Sequence, residues 1–461
     1  MAKLDLALHD GRFYIAGNLV EGSLGIRDGR IVSFAIDGTG LGSADRDIGL
    51  GGKLVLPGLI DMHVHARDLD HGYKETFLTA SRAAAAGGVT TFCDMPNTIP
   101  PTTTAQRYRE KIALASPQVH VDYSIWGGGV DTSEVPGIAA EGAIGYKIYL
   151  HTSAMKGTPH HRGVFVEDDG QLYDIFVAVE KTGLPLMIHL DNQAISNRLR
   201  EKLVAEGRNT AFDYLAPWET IAMEEATQKT LLFSSKIGTR MHIAHVPNPE
   251  SVELARKAKL KGTPVTVEII SPYLFLTYDH VRRKGPYALP VAKPPEQIDA
   301  YWKQLLRGDI DTIGTDHAPH AREEKEAGFK NIWQTAPGVT GLETYLAQLL
   351  TEVNKGRLSI AQLVRLTCET PAKILGFPHK GSLVPGSDAD ITVIDLDRKW
   401  VVDESKLETK PKWTPFDGEE LHGKAVMTIV RGRVVMEDGR IVGEAGWGQF
   451  QRPHRKPESR Q

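Results

Sequence analysis

The chain has 461 residues, and its 54 Lys and Arg nearly balance its 58 Asp and Glu, which leaves a formal net charge of −4 with neutral histidine. This balance gives no support for a nucleic-acid or membrane partner. No segment approaches the ~20 apolar residues that a membrane-spanning helix needs, and only Cys93 and Cys368 could form a disulfide. The sequence therefore predicts a cytoplasmic protein without either partner, and it is compatible with a homo-oligomer.

The two ends of the chain resemble each other. Ile26 to Phe34 reads IRDGRIVSF and Met436 to Glu444 reads MEDGRIVGE, so both place Asp-Gly between short apolar-rich stretches. Asp-Gly is a strong signal for a tight hairpin turn. The segments DADITVIDLD and KAVMTIVRGRVV add strand candidates near the C-terminus. Two unrelated ends are the alternative, but the pattern favours one small composite β domain formed by residues 1–55 and 383–461.

Between these ends, short β-rich runs alternate with longer helix-like segments. GGVTTFCDM follows the Ala-rich ETFLTASRAAAA, and MHIAHV precedes the helical PESVELARKAKLKG. Such alternation predicts a parallel sheet with crossover helices. Because it extends over residues 56–382, an α/β fold with a (β/α)8 TIM barrel is favoured over an open sheet. Catalytic groups of such a barrel lie at the C-terminal ends of its strands.

The run PGLIDMHVHARD contains two histidines one residue apart, His63 and His65. Because a strand alternates its faces with period two, both imidazoles and Asp61 are expected on one face. Two imidazoles at a strand end can bind one divalent cation. For an arbitrary sequence, two hydrogen-bonded core histidines would be the simpler interpretation, so a metal site requires further ligands downstream.

Further candidate ligands follow other strand-like runs. Lys147 lies inside an apolar run, where burial would lower the pKa of its amine; a neutral amine can react with carbon dioxide, and the resulting carbamate can bridge two cations. Asp316 could bind metal and exchange a proton, although a helix cap is the alternative. Singly, each is weak evidence. Together the strand-end candidates suffice for two cations, with Zn²⁺ favoured and Mn²⁺ or Co²⁺ allowed: His63, His65, Lys147, His189, His245 and Asp316.

With these residues in place, the chain resembles the amidohydrolase superfamily, and within it the long-chain dihydroorotases. The resemblance rests on HVHARD, AAAAGGVTTFCDMPNT, GTDHAPHAREEKE and APGVTGLET, with SLVPGSDADITVID in the composite β domain. It implies that His63 and His65 bind one metal, and that His189 and His245 bind the second. Lys147, carboxylated on its side-chain nitrogen, would bridge the two, and Asp316 would bind metal and move the proton.

The resemblance also implies a set of substrate contacts. Arg67 and Asn97 would hold a carboxylate on the ring, for which a guanidinium fork is well matched. The remaining contacts would come from Lys293, His320, Pro337 and Gly338. The chain departs from the family where Asp-Leu follows Arg67, where SPYLFL replaces a His-His-Leu stretch, and where Lys293 stands in place of an asparagine. These departures leave the metal ligands intact and bear on the choice of substrate.

The function predicted on this basis is a zinc-dependent dihydroorotase, which interconverts N-carbamoyl-aspartate and dihydroorotate in pyrimidine biosynthesis. The alternative is an allantoinase, or a hydantoinase of the dihydropyrimidinase type, with the same two-metal site and another ring. Arg67 and Asn97 favour the first, while Lys293 and SPYLFL keep the second open. A non-catalytic assembly subunit is a third class, but such proteins typically lose metal ligands, and this chain has all six.

Overall fold

The computed structural model describes residues 3–36, 41–150, 163–166, 168–218 and 221–454. Within these ranges, no helix combines the length and the apolar character needed to cross a bilayer.

Strands from both ends of the chain form one nine-stranded sheet within the described residues. Numbered along the chain, its strands are β1 (Leu4–Ile15), β2 (Asn18–Arg27), β3 (Arg30–Ala35), β4 (Ala44–Gly49), β5 (Leu54–Pro57), β15 (Ile391–Val401), β16 (Glu420–Val430), β17 (Arg433–Glu437) and β18 (Arg440–Ile441). Their order is β18-β17-β16-β15-β5-β1-β2-β3, and β4 pairs with β1. The two chain ends therefore fold together.

Both predicted Asp-Gly turns are present in this sheet. Asp28 and Gly29 join β2 to β3 with φ values of 52° and 72°, and Asp438 and Gly439 join β17 to β18 with φ values of 46° and 80°. Two consecutive residues with positive φ are typical of the tight hairpin turn that matches strand twist. The turns are thus confirmed. The division into domains at residues 55 and 383 stays a prediction, and β5 of this sheet runs on to Pro57.

A second group of strands forms the barrel. These strands are β6 (Leu59–Val64), β7 (Val89–Asp94), β8 (Asp122–Ile125), β9 (Gly127–Gly128), β10 (Tyr146–Tyr149), β11 (Leu186–His189), β12 (Met241–Ile243), β13 (Val265–Ile270) and β14 (Thr312–Gly314). Parallel pairing runs from β6 to β8 and from β9 to β14. Trp126 alone separates β8 from β9, and a parallel bridge between Val64 and His317 joins the two remaining edges. The predicted α/β fold with a (β/α)8 barrel is confirmed.

Helices surround the barrel strands. They are α1 (Phe77–Ala86), α2 (Ala105–Ala115), α3 (Val135–Ala140), α4 (Asp169–Glu180), α5 (Gln193–Ala205), α6 (Ala211–Leu215), α7 (Ile221–Ile237), α8 (Pro249–Leu260), α9 (Ser271–Phe275), α10 (Tyr278–Lys284), α11 (Pro295–Arg307), α12 (Arg322–Lys330), α13 (Tyr345–Asn354), α14 (Ile360–Val364) and α15 (Thr370–Leu375). Several lie between consecutive barrel strands, as crossover helices do.

Alternation along the strands decides which side chains face the barrel interior. Ile148, Ile188, Ile243 and Val267 belong to the large apolar core that also contains helix residues. Since successive side chains point to opposite faces of a strand, each neighbour of these residues points inward. Lys147 is such a neighbour, on β10, and its side chain is fully buried.

Candidate active site

The predicted metal ligands converge at the C-terminal end of the barrel. His63 and His189 lie within the last two positions of β6 and β11, and His65 follows β6 directly. His245 and Asp316 come two residues after β12 and β14, at φ values of 30° and 46°. Non-glycine residues rarely adopt such φ values, and those that do are enriched at functional sites.

One carboxylate joins the first two histidines. Oδ1 of Asp316 lies 3.3 Å from Nε2 of His63 and 3.2 Å from Nε2 of His65. One ligand atom from each of the three residues lies within 4.8 Å of the others. Imidazole nitrogens and a carboxylate oxygen form a donor set that suits zinc and similar divalent ions.

The second histidine pair adjoins this group. Nδ1 of His189 lies 2.9 Å from Nε2 of His245, and the His245 ring stacks against His63 with 5.3 Å between centroids. Burial lowers the pKa of both His65 and His245 to about 3, so these imidazoles are neutral near pH 7 and keep a lone pair for a metal. Burial opposes ionisation of Asp316, but His63 and His65 hold the pKa of that carboxyl well below its usual range.

The surroundings of Lys147 are compatible with its predicted bridging role. Its Nζ is buried and has no hydrogen-bond partner among the described residues, and it lies 5.0 Å from the centre of the Tyr149 ring. Burial lowers the pKa of this amine to about 8, although Glu268 and Asp316 partly offset the effect. A buried polar atom without a hydrogen-bond partner is uncommon. Carboxylation would attach a charged group to this nitrogen, and the oxygens of that group could bind the predicted metals.

Glu268 on β13 contacts two of the predicted ligands, and the sequence analysis missed it. Its Oε1 accepts a hydrogen bond from Nδ1 of His63 at 2.7 Å and another from the backbone N–H of His245 at 3.0 Å. In the neutral tautomer that donates from Nδ1, the lone pair of Nε2 would face Asp316. One carboxylate thereby orients ligands from two strands, as partners of metal-binding histidines commonly do. The signal was available: PVTVEII places an acid inside an apolar run, just as Lys147 is placed.

The four predicted histidine ligands and Asp316 line a cavity of about 410 Å³. All six predicted substrate contacts line it too, namely Arg67, Asn97, Lys293, His320, Pro337 and Gly338. Lys147 lies behind the cavity surface and does not line it. The structure thus brings every predicted site residue to one end of the barrel, while their roles stay predictions.

Asn97 and Lys293 are among the substrate candidates that already have protein partners. Oδ1 of Asn97 lies 2.9 Å from Nδ1 of His65, so the amide oxygen accepts the imidazole hydrogen and only its NH₂ group is left for a ligand. Nζ of Lys293 donates to the carbonyl oxygen of Pro247 at 2.9 Å and lies 4.6 Å from the centre of the Tyr273 ring. Both side chains therefore also hold the site together.

Arg67 is the cation best placed to receive an anion. Its Nε donates to the carbonyl oxygen of Pro319 at 3.1 Å, and its NH2 nitrogen lies 3.1 Å from Nε2 of His320. Among the described residues, no carboxylate oxygen lies within 4.0 Å of this guanidinium. Lys74, which the sequence analysis missed, lies on the same wall, 3.2 Å from Nδ1 of His320 and 2.9 Å from Glu324. Lys74 is thus neutralised, whereas Arg67 is not.

The remaining wall of the cavity is apolar. The sequence analysis pointed only to Tyr273, through the SPYLFL segment, because the other side chains come from helices and loops that no motif marks. This wall is formed by Leu190, Tyr214, Trp218, Met223, Tyr273, Pro290 and Val291.

Comparison with known proteins places these features in context. Residues 54–435 match the amidohydrolase family. The chain is 38% identical to an L-hydantoinase of Paenarthrobacter aurescens over 454 residues, which cover 97% of each chain. It is 36% identical to a dihydroorotase of Methanothermobacter thermautotrophicus over 422 residues, or 91% of this chain and 92% of that one.

A solved structure of a hydantoinase is also similar to this chain. The L-hydantoinase (dihydropyrimidinase) from Arthrobacter aurescens superposes with a TM-score of 0.92 at 38% identity, covering 97% of this chain and 99% of that one. The hydantoinase alternative of the sequence analysis therefore receives more support than its leading prediction. A dihydroorotase specifically is not confirmed.

Proposed function

Since the chain belongs to the amidohydrolase family and is a hydrolase acting on cyclic amides, we propose that it opens hydantoin-type rings with an apolar substituent. A hydantoin is a five-membered cyclic ureide. Its hydrolysis adds water across one ring C–N bond and yields an N-carbamoyl amino acid. The similarity to the L-hydantoinase over 97% of both chains supports this choice.

The apolar wall of the cavity is the observation that carries the proposal. Tyr214, Trp218 and Met223 line the cavity from the region of α6 and α7, and Pro290 and Val291 line it from the loop before α11. Dihydroorotate carries only a carboxylate on its ring and would leave such a wall unused. An alkyl or aryl substituent would bury apolar area there, which is worth about 25 cal/mol per Å².

The strand-end ligands are proposed to hold two divalent cations, with zinc favoured. His63 and His65 would bind one ion and His189 and His245 the other, with Lys147 as a bridging carbamate and Asp316 as a further ligand. The carbamate forms when the neutral amine of Lys147 adds to carbon dioxide and releases one proton. When bound, the metals would lower the pKa of a water molecule and polarise the ring carbonyl.

The protein's own groups then have defined tasks. The ionised Asp316 accepts a proton from the attacking water and delivers it to the ring nitrogen as the C–N bond breaks. Glu268 keeps His63 in the tautomer that presents Nε2. The apolar wall and the loops around Pro337 hold the ring and limit the access of further water.

Dihydroorotate is retained as a second candidate because of one observation. The Arg67 guanidinium is buried at the cavity surface with no carboxylate within 4.0 Å among the described residues. A carboxylate on the substrate would provide the missing counter-charge through a charge-assisted hydrogen bond.

The test is turnover of four rings by the purified protein supplied with zinc and bicarbonate. The rings are 5-benzylhydantoin, unsubstituted hydantoin, allantoin and dihydroorotate, with ring loss followed in each case. We expect 5-benzylhydantoin to have a kcat/KM about tenfold or more above that of dihydroorotate, as each 1.4 kcal/mol of binding is tenfold. A protein that opens dihydroorotate and ignores both hydantoins would contradict the proposal and establish the second candidate.

A further inference from the structure

Lys325 is a buried cation outside the group of predicted ligands and substrate contacts. It lies on α12, and its side chain has no exposed surface. Its Nζ donates to three backbone carbonyl oxygens: Leu289 at 3.0 Å, Ala336 at 2.8 Å and Gly338 at 3.0 Å. An ammonium group has three hydrogens, so all of them are used on main-chain acceptors.

These acceptors belong to two neighbouring segments, and both segments contribute to the cavity wall. Leu289 precedes Pro290 and Val291, which line the cavity, and Ala336 to Gly338 line it as well. The backbone N–H of Gly338 also donates to the Leu289 oxygen, at 3.4 Å. One side chain therefore ties together two wall segments that are far apart in the sequence.

The charge of Lys325 is not explained by an ion pair. Among the described residues, no carboxylate oxygen lies within 4.0 Å of its Nζ. Burial lowers the pKa of the amine to about 7, and Glu324 only partly offsets this. Burying an ammonium without a counter-charge is costly, and an apolar side chain of similar size would avoid that cost. Unlike an apolar side chain, the lysine supplies hydrogen-bond donors at the point where three carbonyl groups converge.

The second wall segment is also fixed relative to the reactive end. The backbone N–H of Ala318, two residues after Asp316, donates to the Val339 oxygen at 2.8 Å. Gly338 has a φ of 141°, and a Cβ there would lie 2.4 Å from the Ala318 oxygen. Because these contacts hold the segment on the Asp316 side, the donors of Lys325 fix the position of the adjoining Pro290 segment relative to it.

We propose that Lys325 is a positioning residue that fixes residues 289–291 and 336–338 relative to each other and so sets the shape of the cavity wall that they form together. It thereby decides which ring substituents reach the metal-binding end. The inference rests on the proposed function only in requiring a ring to bind against these walls. A role in fold stability alone is the competing explanation, and it would affect all substrates equally.

The test compares Lys325→Met, which removes all donors, with Lys325→Gln, which keeps an amide donor. Lys330→Met is the matched control, because Lys330 is exposed and lies on the same helix. Each protein is assayed for kcat and KM on 5-benzylhydantoin and on unsubstituted hydantoin, and its metal content and unfolding midpoint are measured.

For Lys325→Met we expect the ratio of kcat/KM between the two rings to change by about tenfold, the size expected when a charge-assisted hydrogen bond is lost. The change should lie mainly in KM, with metal content unaltered, and Lys325→Gln should fall between this variant and the parent. A ratio within about twofold of the parent in a folded variant would overturn the proposal. Failure of both variants to fold would also overturn it, by assigning the lysine to stability.

Failure of the proposed function gives a different result. A parent protein that opens neither hydantoin fails that proposal whatever the variants do. Lys325 is then judged on dihydroorotate, where Lys325→Met should raise KM about tenfold while kcat stays within about threefold. Equal changes in kcat and KM, or none, would overturn the positioning role.

Discussion

The metal-binding end and the wall of the cavity are built in different ways. The metal-binding end consists of residues within or just after barrel strands, with imidazoles, carboxylates and an amine packed against one another. The wall comes from helices and loops between the strands, and it combines an apolar part with polar and charged side chains such as Asn97, Glu324 and Gln334. On the proposed function, the barrel supplies the chemistry, whereas the loops supply the choice of ring.

This division predicts two kinds of variant. Changes at the metal-binding end should affect every ring equally, and changes in the wall should affect rings unequally. The relatives fit the same division, as proteins named L-hydantoinase and dihydroorotase both align with this chain over more than nine-tenths of its length.

The largest effect is expected for Asp316→Asn. The amide cannot accept and deliver the proton, so kcat should fall by about 10²–10⁴-fold on every ring that the parent opens. Steady-state kinetics on two rings measures this, with Asp299→Asn on the exposed side of α11 as the control. Activity within a factor of a few of the parent would mean that another group moves the proton.

Glu268→Gln should come next. Loss of the carboxylate weakens the hold on Nδ1 of His63 and on the His245 backbone, so zinc affinity should fall by about 10–100-fold. Competition with a chromophoric chelator measures zinc affinity independently of turnover. Glu250→Gln is the control, because Glu250 is an exposed residue of α8. Unchanged affinity would leave Glu268 as a simple core residue.

Arg67→Met tests whether a charged side chain in the cavity wall selects the substrate. It keeps the apolar stem and removes the guanidinium, so activity on dihydroorotate should fall by about tenfold or more, in line with a lost charge-assisted hydrogen bond. Turnover of a neutral hydantoin should change less. Equal losses on both rings would show that Arg67 acts through its contacts with Pro319 and His320 and does not select a substrate.

The smallest effect concerns stability and pH. The folded pKa of Lys325 is about 7, against a usual value of 10.5, so the unfolded chain binds more protons between these values. The free energy of unfolding should therefore rise with pH across this window, by at most about 1.4 kcal/mol per pH unit from this residue. Urea unfolding of the parent should show a steeper rise than Lys325→Met. Parallel curves for the two proteins would contradict the depressed pKa.

The sequence predicted more of the metal-binding end than of the cavity wall. The proximity of the candidate ligands was predictable because a parallel barrel brings all C-terminal strand ends together, so HxH, Lys147 and Asp316 needed no knowledge of loop paths. Glu268 could have been found in the same way. Trp218 and Lys325 could not, because their positions depend on how separate loops pack over the barrel mouth.

Some local details also lay beyond the sequence patterns. His242 and His245 are separated by an odd step, which predicts opposite faces on a regular strand, but β12 ends at Ile243 and His245 has a φ of 30°. His245 therefore turns towards His63. Asn97 was predicted to contact substrate, and its contact with His65 became visible only in three dimensions.

Metal content tests the central claim most directly. The claim is that the residues at the strand ends, and not the wall, hold the group that performs the chemistry. Elemental analysis of the protein, purified without chelator and supplied with zinc and bicarbonate, should give two divalent ions per chain. Lys147→Ala should bind one ion or none, while Arg67→Met keeps both. A parent protein that stays near zero under these conditions would contradict the account.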